Sequence, residues 1–175
     1  MQKLSHQEIK EAKLSVEEVK SMERSPIYVL LDNVRSLFNV GSIFRTSDAV
    51  MAKKIYLCGI TGAPPRKEIS KTALGAEEIV PWEQDDEAIQ VIRRLKSDGV
   101  QIVAVELAKD SVDYSEAKYD FPVCFVLGHE VEGVSDEVME LVDMTVHLPM
   151  LGRANSLNVA TCYGIIAYDA LKKLR

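Results

Sequence analysis

"VQIVAVEL", residues 100–107, decides the class of fold this chain can adopt. A strand with one wet face alternates apolar and polar residues. This run is apolar almost throughout, as a strand covered on both faces must be. "PVCFVLG" (122–128) and "IYVLL" (27–31) read the same way, and "KIYLCG" (54–59) and "MTVHLP" (144–149) are further strands. "EEIVPWE" (77–83) is expected as a short edge strand, because Pro81 has no N–H to give a central ladder. Helices are expected between them: over roughly 40–51, over "DDEAIQVIRRLKSDG" (85–99) with Gly99 as its stop, and over 135–142 with Ser135 as N-cap. The C-terminal "SLNVATCYGIIAYDALKKLR" (156–175) reads as a long helix with its cations at the C-terminal end, where they suit the dipole. The segment "TGAPPRKE" (61–68) reads as loop. Alternating strands and helices with doubly covered strands imply an α/β fold with a mainly parallel sheet flanked by helices.

Working outward, residues 1–24 form an appended helical arm ahead of a domain spanning 25–175. Ser5-x-x-Glu8 and Ser15-x-x-Glu18 are capping-box patterns, so two short helices are expected there. The chain has 175 residues, 47% hydrophobic and 27% charged, enough to bury a core of its own. No apolar run approaches the roughly 20 residues that span a bilayer. The N-terminus lacks the apolar centre of a signal peptide, and the chain therefore reads as cytoplasmic. Cys58, Cys124 and Cys162 are odd in number, widely spaced and set in apolar segments. They read as buried free thiols, and no metal site is expected.

The net charge of −6 argues at first against a nucleic-acid partner, but its distribution argues for one. Residues 32–72 carry seven basic groups against three acids, whereas residues 73–175 carry nine against nineteen. An anionic ligand responds to the local field rather than to the total.

Three polar, glycine-bearing segments follow strands, where parallel sheets place their ligands. They are "DNVRSLFNVGSIFRTSDA" (32–49), "VLGHEVEGVSDE" (126–137) and "LPMLGRANSLNV" (148–159). Taken singly they are unremarkable: Gly128 permits a turn, Ser156 caps a helix, and His147 is an ordinary half-buried histidine. None is a P-loop, a dinucleotide fingerprint, a zinc-protease helix or a nucleophile elbow. Their joint occurrence, in this order, is what points to a site. Arg45, alone among small and apolar neighbours, suits a developing negative charge there.

The three segments resemble the motifs of the SpoU, or TrmH, branch of the SPOUT RNA methyltransferases. The first carries Asn33, Arg35, Asn39, Gly41, Arg45, Thr46, Asp48 and Ala49. The second carries Leu127, Gly128, Glu130 and Gly133, and the third Leu148, Pro149, Met150, Gly152, Ser156, Leu157, Asn158 and Val159. The likeness covers about 27–172. His129 fills a variable place, and Leu148 stands where isoleucine is usual.

The resemblance implies a deep trefoil knot near the C-terminus and S-adenosylmethionine (AdoMet) as methyl donor. It also implies transfer to an RNA ribose 2′-hydroxyl without a metal, with tRNA favoured over rRNA as acceptor. By the same carry-over, Leu127, Gly128, Leu148, Met150, Ser156 and Leu157 hold the cosubstrate. Arg45, Asn39, Glu130, Ser156 and Asn158 serve catalysis, and the family's active site lies at a two-fold homodimer interface. A guanidinium stays protonated near neutrality, so Arg45 is expected to stabilise the forming alkoxide rather than act as a base. Arg35, Lys53, Lys54, Arg66, Lys67, Lys71 and Arg153 then become candidates to track RNA phosphates. Two alternatives stay open on the residues alone: a non-catalytic RNA-binding protein on this fold, and a Rossmann-type enzyme on a small metabolite.

Overall fold

In the computed structural model, which describes residues 3–175, seven strands form one sheet in the order β3-β2-β1-β6-β4-β7-β5. The strands are β1 (Ser25–Asp32), β2 (Ala52–Cys58), β3 (Trp82–Asp85), β4 (Gln101–Val105), β5 (Val112–Asp113), β6 (Val123–Leu127) and β7 (Met144–His147). All pairings are parallel. The chain runs outward from β1 through β2 to β3, then crosses to the other side of β1, where β4 to β7 lie in the spatial order β6-β4-β7-β5. The strand order therefore reverses between β1 and β6, and the loops leaving their C-terminal ends flank the crevice where such sheets bind ligands.

The apolar runs are explained by cover on both faces. Val29 and Leu31 of β1 pack with Val40, Ile43 and Phe44 of α3 (Leu37–Ala49) and with Tyr163 and Ala167 of α7 (Val159–Leu174). Leu30, the residue between them, points the other way. It joins Val91, Ile92 and Leu95 of α5 (Ala88–Ser97) and Val138 of α6 (Asp136–Met139). A third cluster joins Val103, Phe125 and Val146 to Ile166 and Ala170 of α7. The last helix thus reaches from β7 across to β1. One buried polar contact fixes it there: the hydroxyls of Ser47 on α3 and Tyr163 are 2.9 Å apart.

The arm forms α1 (His6–Glu11) and α2 (Val16–Ser21), each with the full capping box. Neither helix buries a residue. Arg24 ties the arm's end to the sheet by donating to the carbonyls of Ala52 and Ile79.

Four expectations need correction. Residues 76–78 form a 3₁₀ turn and β3 begins only at Trp82, although it is an edge strand as expected. Pro81 contributes its carbonyl, which accepts from the N–H of Ile55 at 2.9 Å. Part of the expected loop is helical, as α4 (Lys67–Ala73). The last helix starts at Val159 and is capped by Asn158, whose side chain accepts from the N–H groups of Ala160 and Thr161; Ser156 lies outside it. Cys58 and Cys124 are buried free thiols, but Cys162 is only half-buried. Among the described residues no helix is long and apolar enough to cross a membrane.

Candidate active site

Three loops converge beyond the C-terminal ends of β1, β6 and β7. After β1, Asn33 adopts positive φ (61°) and turns the chain toward α3, while Asp32 accepts from the N–H and hydroxyl of Ser135 beyond β6. After β6, Gly128 presses against the backbone of Gly133, where a Cβ would sit 2.1 Å from the Gly133 carbonyl carbon. That crossing aims Glu130 back at the start of α3. Its carboxylate accepts from the backbone N–H groups of Arg35 (3.0 Å) and Ser36 (2.9 Å) and from the Asn39 amide (2.9 Å). The Asn39 carbonyl oxygen in turn accepts from the Asn158 amide at 2.9 Å. One relay therefore joins all three motif segments, from residues 91 and 119 positions apart.

The relay holds a charge. Partial burial works to raise the Glu130 carboxyl, but the N–H groups of Arg35 and Ser36 and the Asn39 amide outweigh it and keep it below the usual range. A lowered carboxyl stabilises the fold at neutral pH, and that contribution is lost as pH falls through the lowered value. Glu130→Gln should therefore lower Tm by about 3 °C at pH 7, because an amide meets three donors with only one oxygen. The gap to the parent should be full above about pH 4.3 and close below it, which thermal melts across pH 3–7 would read. A gap that persists at pH 3 would show that the charge is not its source.

Beside the relay lies a cavity of about 330 Å³ at the C-terminal ends of β4 and β7. Leu148, Met150, Ser156 and Leu157 line it, four of the six residues expected to hold a cosubstrate. The other two are not in its lining: Leu127 is in the core and Gly128 is in the crossing just described. His147 also lines the cavity. Its Nδ1 lies 2.9 Å from the Ser111 hydroxyl, which itself donates to the Ala108 carbonyl, so Nδ1 is assigned the proton. Glu106 is a wall residue that the motifs did not single out. The signal was present as the one acid near the end of "VQIVAVEL", in a run otherwise built for burial.

Arg45 is not in this group. It is exposed on α3, one face away from Asn39, in a separate cleft of about 470 Å³ with Ser42, Thr46, Lys71, Thr72 and Tyr168. The cleft and the cavity share no lining residue. Among the described residues its guanidinium has no ion-pair partner. Arg35, Arg66, Lys67 and Arg153 are exposed on or next to the convergent loops and α4. Lys53 and Lys54 are placed apart from these, at the opposite, N-terminal end of β2. Lys54 is bound to Glu83 at 2.6 Å and lies over the Tyr56 ring.

Residues 26–168 match the SpoU rRNA Methylase family. The chain is 36% identical over 156 residues to the tRNA (guanosine(18)-2′-O)-methyltransferase of Aquifex aeolicus, covering 89% of this chain and 74% of that protein. It is similar to the solved A. aeolicus TrmH/SpoU tRNA modifying enzyme, with TM-score 0.81 and 35% identity over 90% of this chain and 80% of the other. An AdoMet-bound rRNA methyltransferase from Sinorhizobium meliloti is similar with the same TM-score and 33% identity, over 90% of this chain and 60% of that one. A motif-bearing sequence, a parallel sheet with its loops gathered at one end and a family match over nearly the whole domain agree: the chain belongs to the SpoU methylase family.

Proposed function

We propose that this protein transfers the methyl group of AdoMet to a ribose 2′-hydroxyl of tRNA in the cytoplasm. The observation that carries the reading is the convergence of all three motif segments, through the Glu130–Asn39–Asn158 relay, beside the apolar cavity. The cavity fits the donor in kind: Leu148, Met150 and Leu157 offer flat apolar walls to a purine, and its volume falls within the range of small-molecule sites. AdoMet, when bound, supplies an electrophilic methyl group on sulfur. The relatives' names support tRNA, and the S. meliloti structure supports AdoMet.

The chain's own residues supply orientation and charge. Glu130 fixes Asn39, and Asn39 fixes Asn158 and with it the entry to α7. Ser156 stands between that entry and the cavity wall. Holding an acceptor in place is worth several kcal/mol of barrier by itself. Arg45 supplies the cation for the forming alkoxide or an adjacent phosphate, a role that contributes most when charge develops in the transition state. Since its cleft lies apart from the cavity, a second copy of the chain brings Arg45 of one protomer to the cavity of the other. The exposed Tyr168 on α7 and Phe38 on α3 suit such a homodimer. Arg35, Arg66, Lys67, Lys71 and Arg153 form the phosphate track. The C-terminal knot of the family fits the path of α7 back across the sheet to β1.

Incubating the purified protein with radiolabelled AdoMet and unmodified tRNA tests the reading. Label should appear in tRNA as 2′-O-methylnucleoside, first examined at guanosine 18, the position in the relatives' names. RNA binding without label would favour the non-catalytic alternative. Binding of a dinucleotide in place of AdoMet would favour the Rossmann-type one.

A further inference from the structure

We propose that Glu106 is a cosubstrate-positioning residue that accepts hydrogen bonds from the vicinal hydroxyls of the donor's ribose. The inference rests on the cavity being the AdoMet site and names one chemical group within it.

The wall of the cavity is apolar apart from a few groups, and among the described residues Glu106 carries its only carboxylate. No Lys or Arg lines it, so within the described residues no side-chain cation there neutralises this carboxylate. The carboxylate is instead clamped by backbone. One oxygen accepts from the N–H of Leu107 at 2.9 Å and the other from the N–H of Val134 at 3.1 Å. Gly133 makes the second contact possible: its φ is +76°, and a Cβ there would lie 2.3 Å from the nearer Glu106 oxygen. Close approach of backbone to a side chain is what glycine permits. Glu106 is thereby fixed in orientation where β4 meets the Gly128–Gly133 crossing.

A carboxylate offers about four lone-pair positions, two on each oxygen. The clamp uses one on each, which leaves one acceptor on each of two neighbouring oxygens. That pair matches two adjacent hydroxyl donors, as on a ribose. A cationic sulfonium is the competing partner, but it has no donor hydrogen to meet an oriented acceptor. Two N–H groups also already offset part of the carboxylate's charge. The half-buried thiol of Cys162 shares the wall; burial chiefly, with a small part from the Glu106 charge, keeps it protonated. It therefore does not compete as an anion.

Calorimetric binding tests this with AdoMet, its demethylated product S-adenosylhomocysteine and the 2′,3′-dideoxy analogue of that product. Glu106→Gln should weaken AdoMet and the product alike, by about 20-fold, the size of lost hydrogen bonds to a charged acceptor. It should leave the dideoxy analogue within about twofold of the parent. Equal loss for all three ligands would overturn the proposal, because Glu106 would then act only by holding the loop. A loss confined to AdoMet would also overturn it and place the sulfonium at this carboxylate. If the Gln variant does not fold, Glu106→Asp gives the same comparison with charge kept and reach shortened; the loss should again spare the dideoxy ligand. A parent that binds neither AdoMet nor its product would instead bring down the functional reading itself.

Discussion

Arg45→Ala should lower turnover on tRNA by about two to three orders of magnitude while leaving AdoMet affinity within about twofold. The first expectation follows from what a ribose hydroxyl requires. Its oxygen gains negative charge as the bond to carbon forms, and a cation aimed at that charge is worth most in the transition state. The second follows from geometry: Arg45 lines none of the cavity proposed for the donor. Arg45→Lys should recover part of the rate, since it keeps the charge but loses the planar fork that grips a phosphate. If Ala and Lys both turn over like the parent, the role is wrong. The subunit arrangement has its own test. Mixing Arg45→Ala with Ser156→Ala protomers, each expected to be nearly inactive alone, leaves one intact site per mixed dimer if the site is shared across the two-fold, restoring about a quarter of parental activity. If each chain builds its own site, no mixture recovers.

Gly41→Ala is the second large effect, and it falls on stability. Gly41 lies on the face of α3 that meets α4, where an added Cβ would be 2.1 Å from the Thr72 hydroxyl and 2.3 Å from the Ile69 carbonyl oxygen. The Thr72 hydroxyl spans this contact, donating to the Phe38 carbonyl at 2.9 Å. A backbone carbonyl cannot rotate aside as a side chain can. Overpacking of about 3 kcal/mol and a lost hydrogen bond of about 1 outweigh the gain of about 1 from replacing a helical glycine. The expected result is a loss of about 3 kcal/mol, or about 6–12 °C in Tm for a chain of this size. An unchanged Tm would show that α4 yields more easily than its packing suggests. Because α4 carries Lys67 and Lys71, the same variant should also weaken tRNA binding.

The doubly covered strands were legible because burial on two faces leaves a near-continuous apolar run. β1, β2, β4, β6 and β7 stand within a few residues of where those runs placed them. β5 was not legible: two residues, Val112 and Asp113, carry no period, and their strand exists only because β7 offers an edge. α4 hid behind a proline pair that reads as loop. Ser156 and Asn158 are both capping residues by type, and local sequence could not say which would be used. The choice is made by Asn39, from another part of the chain, which takes the Asn158 amide donor while its oxygen caps α7. The grouping of Asn39, Glu130 and Asn158 came from a resemblance, not from spacing. Glu106 escaped notice because its partners, Leu107 and Val134, are bound through backbone atoms that have no residue type to read.

The Glu130–Asn39–Asn158 chain has a direction, imposed from both ends. A carboxylate can only receive, the first turn of a helix can only give, and each amide between them is thereby oriented. That direction needs an amide at both middle positions. Asn39→Asp would set a second anion against Glu130 and remove the donor between them. Asn158→Asp would keep the helix cap but sever the link to α3, so such a variant should stay folded while its three loops no longer act together.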